Sequence, residues 1–239
     1  MSRLRSRLVN RLRSQAGFTL PELIVAMAIG MATVLAVYAI LDTSIKQSNN
    51  IAGRVNATQR GRIALDIITR QLRSQVCYSA TVPAIVSGTD DAVKFHVDLT
   101  DGSKPIEQHE IAFNPTAGTL VEKVWPGQGS PLVFPTQTVN RQITDQITRT
   151  TTGTPPVAVP VFRYYAYNIP TPPAVPKPVT LLPTPLSAPD LARVAKIEIN
   201  FMAMPPGGKP TSPSASTLQN EVYVRVADPN DPAPTPTCA

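Results

Sequence analysis

A single apolar segment near the N-terminus constrains this chain of 239 residues more than any other feature. It runs from Phe18 to Leu41 and contains one charged residue, Glu22, in 24 positions. As an α-helix it would be about 36 Å long, which is enough to cross a hydrocarbon layer of roughly 30 Å with some tilt. We therefore predict a membrane-spanning helix over residues 18–41.

The charges on either side of this segment predict its orientation. Residues 1–17 carry five arginines and no acidic residue, whereas Asp42 and Lys46 cancel each other directly after the segment. The positive-inside rule then leaves the N-terminus in the cytoplasm and the C-terminal part outside. Because residues 1–17 supply most of the formal net charge of +6, the rest of the chain is not expected to bind nucleic acid.

Two residues make the segment more than a generic anchor. Glu22 lies near one end of the apolar stretch, where an ionised side chain is costly and indicates a function. Pro21 would break a helix interior, but it is harmless in the first turn, where the backbone N–H groups have no intrahelical partner. A chain that begins at Phe18 would meet this condition, and its new α-amino group would be a counter-ion for Glu22.

The residues from Gly17 to Glu22, after a basic leader, resemble the processing site of type IV prepilins and type II secretion pseudopilins. The resemblance implies that residues 1–17 are a leader peptide, which a membrane prepilin peptidase cuts after Gly17 before methylating Phe18. It also implies that Pro21 and Glu22 belong to the helix used in assembly. The implied partners are the peptidase, other pilins or pseudopilins, the inner-membrane assembly platform and membrane lipid, and the implied location is the cytoplasmic membrane and then a pilus or pseudopilus.

Three other interpretations of the N-terminus remain open. An ordinary secretory signal would be cut after a small-residue pair such as Val37 and Ala39, and a plain anchor would not be cut at all. The third is an exported or membrane-tethered protein that recognises a surface or DNA without entering a filament.

Residues 42–80 are predicted to continue the helix as an amphipathic second half. Apolar residues recur at intervals of three and four, which is the spacing of one helix face; they are Ile51, Val55, Leu65, Ile68, Leu72 and Val76. Arg60, Arg62, Arg70 and Arg73 lie largely off this stripe. We interpret them as a solvated face, with a DNA-binding face as the alternative. Gly53 and Gly61 are expected to bend or loosen the helix.

Residues 81–227 are predicted to form an antiparallel β-sheet domain that the amphipathic half of the helix covers. Apolar and polar residues alternate in several short runs separated by turn signals; these runs are 92–100, 107–113, 119–125, 157–167, 194–202 and 218–226. The fold class is therefore α+β, and a long N-terminal helix followed by an antiparallel sheet is also the architecture that the pilin resemblance implies.

Proline is concentrated in two stretches of the predicted domain and its tail. We expect residues 153–189 to contain a long surface loop and residues 228–239 to form a tail, because proline cannot donate ladder hydrogen bonds. Within the pilin family, the segments 62–73, 162–165 and 218–226 resemble the minor pilin group that includes the pilus-assembly protein PilW and the J-type pseudopilin.

The remaining chemistry-bearing residues are few. Cys77 and Cys238 are the only cysteines, and an even count outside the cytoplasm favours a disulfide, with free thiols or pairing between chains as alternatives. His96 and His109 have acidic neighbours, but we interpret them as polar residues on an open sheet face rather than as a metal site. No phosphate loop, nucleophile elbow or metalloprotease motif is present in the sequence, so we expect neither catalysis nor a cofactor.

Overall fold

The computed structural model describes residues 19–77, 82–98, 105–168 and 177–224. Within these ranges the α+β prediction is confirmed: a long N-terminal helix is followed by antiparallel sheets. The helices are α1 (Leu20–Arg73) and α2 (Ala188–Leu191). The strands are β1 (Ile85–Gly88), β2 (Ala92–Val97), β3 (Glu107–Asn114), β4 (Thr119–Pro126), β5 (Val139–Thr144), β6 (Ile147–Thr148), β7 (Thr151–Thr152), β8 (Val157–Ala158), β9 (Phe162–Tyr167), β10 (Pro178–Leu181), β11 (Lys196–Ala203) and β12 (Ser216–Tyr223). The predicted leader, 1–17, and the predicted tail, 228–239, lie outside the described residues.

The contacts divide the chain into two compact units, with the boundary between Asn49 and Asn50. The described part of the first unit is Thr19 and the part of α1 up to Asn49, and nearly all of its residues are exposed. The second unit begins with the rest of α1 and contains all twelve described strands.

The first sheet of the second unit is an antiparallel meander of β1, β2, β3, β4 and β5 in chain order. Its inward face carries alternating buried residues such as Phe95, Ile111 and Leu120, as the sequence pattern predicts for β2, β3 and β4. Two of its strands were not predicted. β1 has only four residues, and residues 139–142 of β5 are all exposed, so neither strand shows a clean apolar alternation.

The second sheet has the order β10, β9, β11 and β12, with β6 paired to β11 beside this path. The predicted strand 157–167 is divided into β8 and β9, and Pro160, which lies between them, has no N–H to donate. β10 was not predicted, because it lies in the proline-rich stretch 153–189. It begins at Pro178 and is an edge strand, which is the position that tolerates proline.

The second half of α1 packs against the sheets through one face. Ala64, Leu65, Ile68 and Leu72 are buried, as the amphipathic pattern predicts. The prediction was wrong for the start of the stripe, because Ile51 and Val55 are 65% and 50% exposed. The buried face begins instead at Ala57 and continues with small residues, which bring the helix close to the sheet.

Gly61 also has a packing role that the sequence did not predict. Gly61 is a buried residue within the helix, and a Cβ added there would lie 2.0 Å from Cδ1 of Leu218 and 3.2 Å from Cβ of Ala203. The missing side chain therefore allows α1 to approach β11 and β12 closely.

Candidate functional site

The candidate processing and assembly site is the N-terminal end of α1. The helix begins at Leu20, and the N–H of Leu23 donates to the carbonyl oxygen of Thr19 at 3.1 Å. Pro21 therefore lies in the first turn, where its missing N–H removes no helical hydrogen bond. The helix begins at Leu20 even though residues 1–17 have not been removed. The position of Pro21 therefore does not by itself require cleavage. Gly17 and Phe18, the residues predicted to flank the cut, lie outside the described residues.

Glu22 is an exposed residue in the first turn of α1. A carboxylate at this position interacts favourably with the positive end of the helix dipole. No ion pair of Glu22 is formed within the described residues. Its predicted pairing with a new N-terminal amine stays a prediction.

The first half of α1 exposes apolar side chains along its length. It contains a window that is long and apolar enough to cross a membrane, and none of that window is buried within the chain. Leu20, Met31 and Ile40 are 73%, 70% and 66% exposed. Such a surface needs an apolar environment, and the described residues of the chain do not supply one.

Two threonine hydroxyls in the first half of α1 are satisfied within the helix. The hydroxyl of Thr33 donates to the carbonyl oxygen of Ile29 at 2.8 Å, and that of Thr43 donates to the carbonyl oxygen of Ala39 at 2.9 Å. Because hydrocarbon offers no hydrogen-bond partners, hydroxyls bonded within their own helix suit a lipid-embedded segment.

The N-terminal part of the chain matches a known sequence family. Residues 12–38 match the family model of the prokaryotic N-terminal methylation motif. The match supports a type IV pilin-like family, with prepilin-type processing and association with other pilins. Together with the exposed apolar helix, the methylation motif suggests that the chain is anchored in a membrane. A search among curated proteins gives no match for the chain.

One of the two cysteines lies within the described residues. Cys77 follows α1 by four residues and is disulfide-bonded in the structure. Cys238, the other cysteine of the sequence, lies outside the described residues. The pairing of Cys77 with Cys238, which would tie the tail to the end of the helix, stays a prediction.

A partly buried polar cluster at the C-terminal part of α1 was missed by the sequence reasoning. It consists of the buried residues Gln71, His109 and Glu122 together with Glu107 and Arg141, whose side chains are 30% and 58% exposed. The ring of His109 lies between two carboxylates, with Nδ1 3.1 Å from Oε1 of Glu122 and Nε2 3.1 Å from Oε2 of Glu107. Glu122 also accepts hydrogen bonds from Gln71 of the helix and from Arg141 of β5. The cluster therefore links α1 to three neighbouring strands.

The electrostatics of Glu122 follow from these contacts. Its side chain is only 2% exposed, and burial alone would raise the pKa of the carboxyl. The hydrogen bonds from His109 and Arg141 outweigh this effect and hold the pKa of Glu122 below its ordinary value. The carboxylate is consequently ionised in the folded protein at neutral pH.

The interpretation of the two histidines as residues on an open sheet face was wrong. The β2–β3 register places His109 opposite Phe95, so that His109 points towards the core, and His96 is only 2% exposed. Burial lowers the pKa of His96, whose Nδ1 lies 3.3 Å from the carbonyl oxygen of Pro83. No group of three metal-ligating side chains is present in the part of the chain that the structure describes.

Arg60 differs from the solvated arginine that the sequence predicted. Its guanidinium donates to Asp145 and to the side chain of Gln146 at 3.0 Å each, and to the carbonyl oxygen of Met204 at 2.6 Å. Gln146 has a positive φ of 52°, an uncommon conformation for a residue other than glycine. Arg60 therefore holds α1 to the turn after β5 and to the end of β11.

Proposed function

We propose that this chain is a structural subunit of a type IV pilus or a type II secretion pseudopilus, in the minor pilin class. The observation that carries the proposal is the combination of the methylation motif at residues 12–38 with a helix whose apolar first half is not covered by any other described residue of the chain. A helix of this kind is suited to pass from lipid into a bundle formed by the equivalent helices of neighbouring subunits.

In this proposal the chain is inserted with its N-terminus in the cytoplasm, cut after Gly17 and methylated on Phe18. Removal of residues 1–17 discards five positive charges and creates an amine close to Glu22. The Glu22 carboxylate then sets the register with a neighbour by pairing with an N-terminal amine, because an unpaired charge is costly in an apolar environment. The role is structural, and the only chemistry proposed at this site is the chemistry that the peptidase performs on the chain.

The proposal separates processing from assembly, and two variants test the separation. Gly17→Val should block cleavage, so that the leader stays attached. Glu22→Ala should be cleaved normally but should enter the filament at a reduced level, measured as the ratio of filament-bound to membrane-bound protein. Normal incorporation of Glu22→Ala would remove the register mechanism, and normal cleavage of Gly17→Val would remove the proposed processing site.

A membrane-tethered binding protein that never enters a filament is the alternative outcome of the same experiment. In that case the chain would stay in the membrane fraction whether or not Glu22 is changed. A control is available on the same helix, because Thr33→Val removes a polar group that is already satisfied within α1 and should leave incorporation unchanged.

A further inference from the structure

The described arginines of this chain fall into two groups. Five of them form an ion pair with a carboxylate, and the partners are Arg60 with Asp145, Arg141 with Glu122, Arg149 with Asp91, Arg163 with Glu198, and Arg193 with Asp190. The other four described arginines lie on α1 and form no ion pair: Arg54, Arg62, Arg70 and Arg73. The described arginines without an ion pair therefore all belong to α1.

Three of these arginines share one exposed face of the second half of α1. At 100° per residue, Arg62, Arg70 and Arg73 project within about a quarter of the helix circumference, on the side opposite the buried Ala64 and Ile68. We call these three residues the arginine row; it is about 16 Å long. Asp66 lies within the row and is the only acidic residue of α1 after Asn50.

The same face also carries exposed apolar side chains. Ile51, Val55 and Ile63 are 65%, 50% and 61% exposed. Positions 51, 55, 62, 66 and 73 repeat at intervals of four and seven, which forms a stripe along one side of a helix. A surface that only binds phosphates needs cations but no apolar stripe, so this combination favours a protein partner over a nucleic acid.

The charge of the row also indicates which protein partner does not fit. If two copies of this chain packed these faces together in parallel, each arginine would meet its equivalent. In an antiparallel pair the single Asp66 of each copy can face one arginine of the other, which leaves two of the three arginines of each face without a carboxylate. Like charges placed opposite each other in an interface oppose association, so a second copy is the wrong occupant.

From these observations we infer that the outer face of α1 between Ile51 and Arg73 binds an acidic, partly apolar helix of a different subunit. The inference rests on the proposed function and deepens it, because it states the chemistry of the neighbour. It also gives a physical reason why the chain would be a minor pilin. A subunit whose helix face repels a second copy of itself packs beside different subunits and does not form a filament alone.

Photocrosslinking of the full chain in its native cells tests this inference. The photoreactive amino acid replaces Gln59, an exposed residue in the middle of the face, and a control chain carries it at Thr116, an exposed residue in the turn after β3. The expected result is an adduct from position 59, and not from position 116, with a different protein, in which the crosslinked peptide is helical and rich in Asp and Glu. An adduct with a second copy of this chain, with nucleic acid or with an acid-poor segment would overturn the inference.

Charge reversal provides the matched control. Arg62→Glu with Arg70→Glu should lower the adduct yield from position 59 by roughly tenfold or more. Lys177→Glu with Lys209→Glu makes the same change in net charge at exposed positions off the helix and should leave the yield within about twofold. If the crosslinked acidic residues of the partner are changed to Arg, the chain with Arg62→Glu and Arg70→Glu should form the adduct again. An unchanged adduct yield for the chain with Arg62→Glu and Arg70→Glu and the natural partner would contradict the inference.

The mass of the N-terminal peptide is measured in the same samples. This measurement tests the proposed function independently of the inference about the outer face of α1. A chain that begins at methylated Phe18 but gives no acid-rich adduct retains the proposed function and loses this inference. The fluorescence of Trp125, the only tryptophan, verifies that the reversed chains are folded.

Discussion

The two halves of α1 are built from one helix but meet different environments. Up to Asn49 the side chains are almost all exposed, and among the described residues a Cβ on Gly30 would meet no atom within 4 Å apart from its chain neighbours and the backbone of its own helix. After Asn50 one face is buried, and a Cβ on Gly61 would overlap Leu218. The difference indicates that the second half is stabilised by its own chain, whereas the described residues offer the first half no such support. Matched substitutions in the two halves should therefore have opposite effects on folding and on assembly.

The largest expected difference comes from removing an aliphatic side chain. Ile68 is fully buried, and Ile68→Ala should lower the free energy of unfolding by about 2–5 kcal/mol, because it leaves a cavity in the core. Ile29 is 62% exposed, so Ile29→Ala should change that free energy by less than about 0.5 kcal/mol. Urea unfolding in detergent, followed by Trp125 fluorescence, measures both. Equal losses for the two variants would contradict the division of α1 into two environments.

The Arg60 contacts predict the next largest effect. Arg60→Met keeps the length of the side chain but removes three hydrogen bonds from a charged donor, and it should cost about 1.5–3 kcal/mol. Arg62→Met, two residues further on and exposed, is the control and should cost less than about 0.5 kcal/mol. The same unfolding experiment applies, and a stable Arg60→Met variant would show that Arg60 does not hold α1 to the loops.

Replacing Gly61 or Gly30 by alanine is expected to change the free energy of unfolding by a smaller amount, and the direction of the change differs from the usual one at Gly61. Replacing glycine by alanine inside a helix normally stabilises it by about 1 kcal/mol. At Gly61 the overlap with Leu218 and Ala203 should reverse this sign, and the net loss is expected to be about 1–2 kcal/mol. Gly30→Ala should leave the unfolding of the second unit unchanged. A stabilised Gly61→Ala variant would mean that the helix and sheet can move apart at no cost.

The smallest effect is the pH dependence that comes from Glu122. Because its pKa is lowered in the folded protein, its contribution to stability is present above the ordinary value of 4.5 and is lost as the pH falls through the folded value. Glu122→Gln should therefore remove part of the acid destabilisation of the natural chain. Urea unfolding at a series of acidic pH values, followed by Trp125 fluorescence, compares the two chains. Identical acid limbs for the natural chain and Glu122→Gln would contradict the role assigned to Glu122.

Much of the fold could be predicted from periodicity. The apolar run defined the first half of α1, the spacing of Leu65, Ile68 and Leu72 defined its buried face, and alternation defined β2, β3 and β4. These features are local, so a short window of sequence contains the whole signal.

The features that were missed depend on contacts between distant segments. Glu122 meets Arg141 because the register between β4 and β5 shifts at Leu120 and Val121, and no local pattern contains that shift. Gln71 lies between ordinary helix residues, and only the packed sheet shows that its amide reaches Glu122. The one available signal was the pair His109 and Glu122 on inward positions of adjacent predicted strands, since polar residues on an apolar face need partners.

The mass of the natural N-terminus tests the central claim most directly, namely that the exposed half of α1 becomes the N-terminus of a processed filament subunit. The experiment isolates the full protein from its native membrane and filament fractions and fragments the N-terminal peptide. The account predicts a peptide that begins at Phe18 and carries a methyl group on its α-amine. A chain that begins at Met1, or one that begins near Ile40 after ordinary signal cleavage, would contradict it.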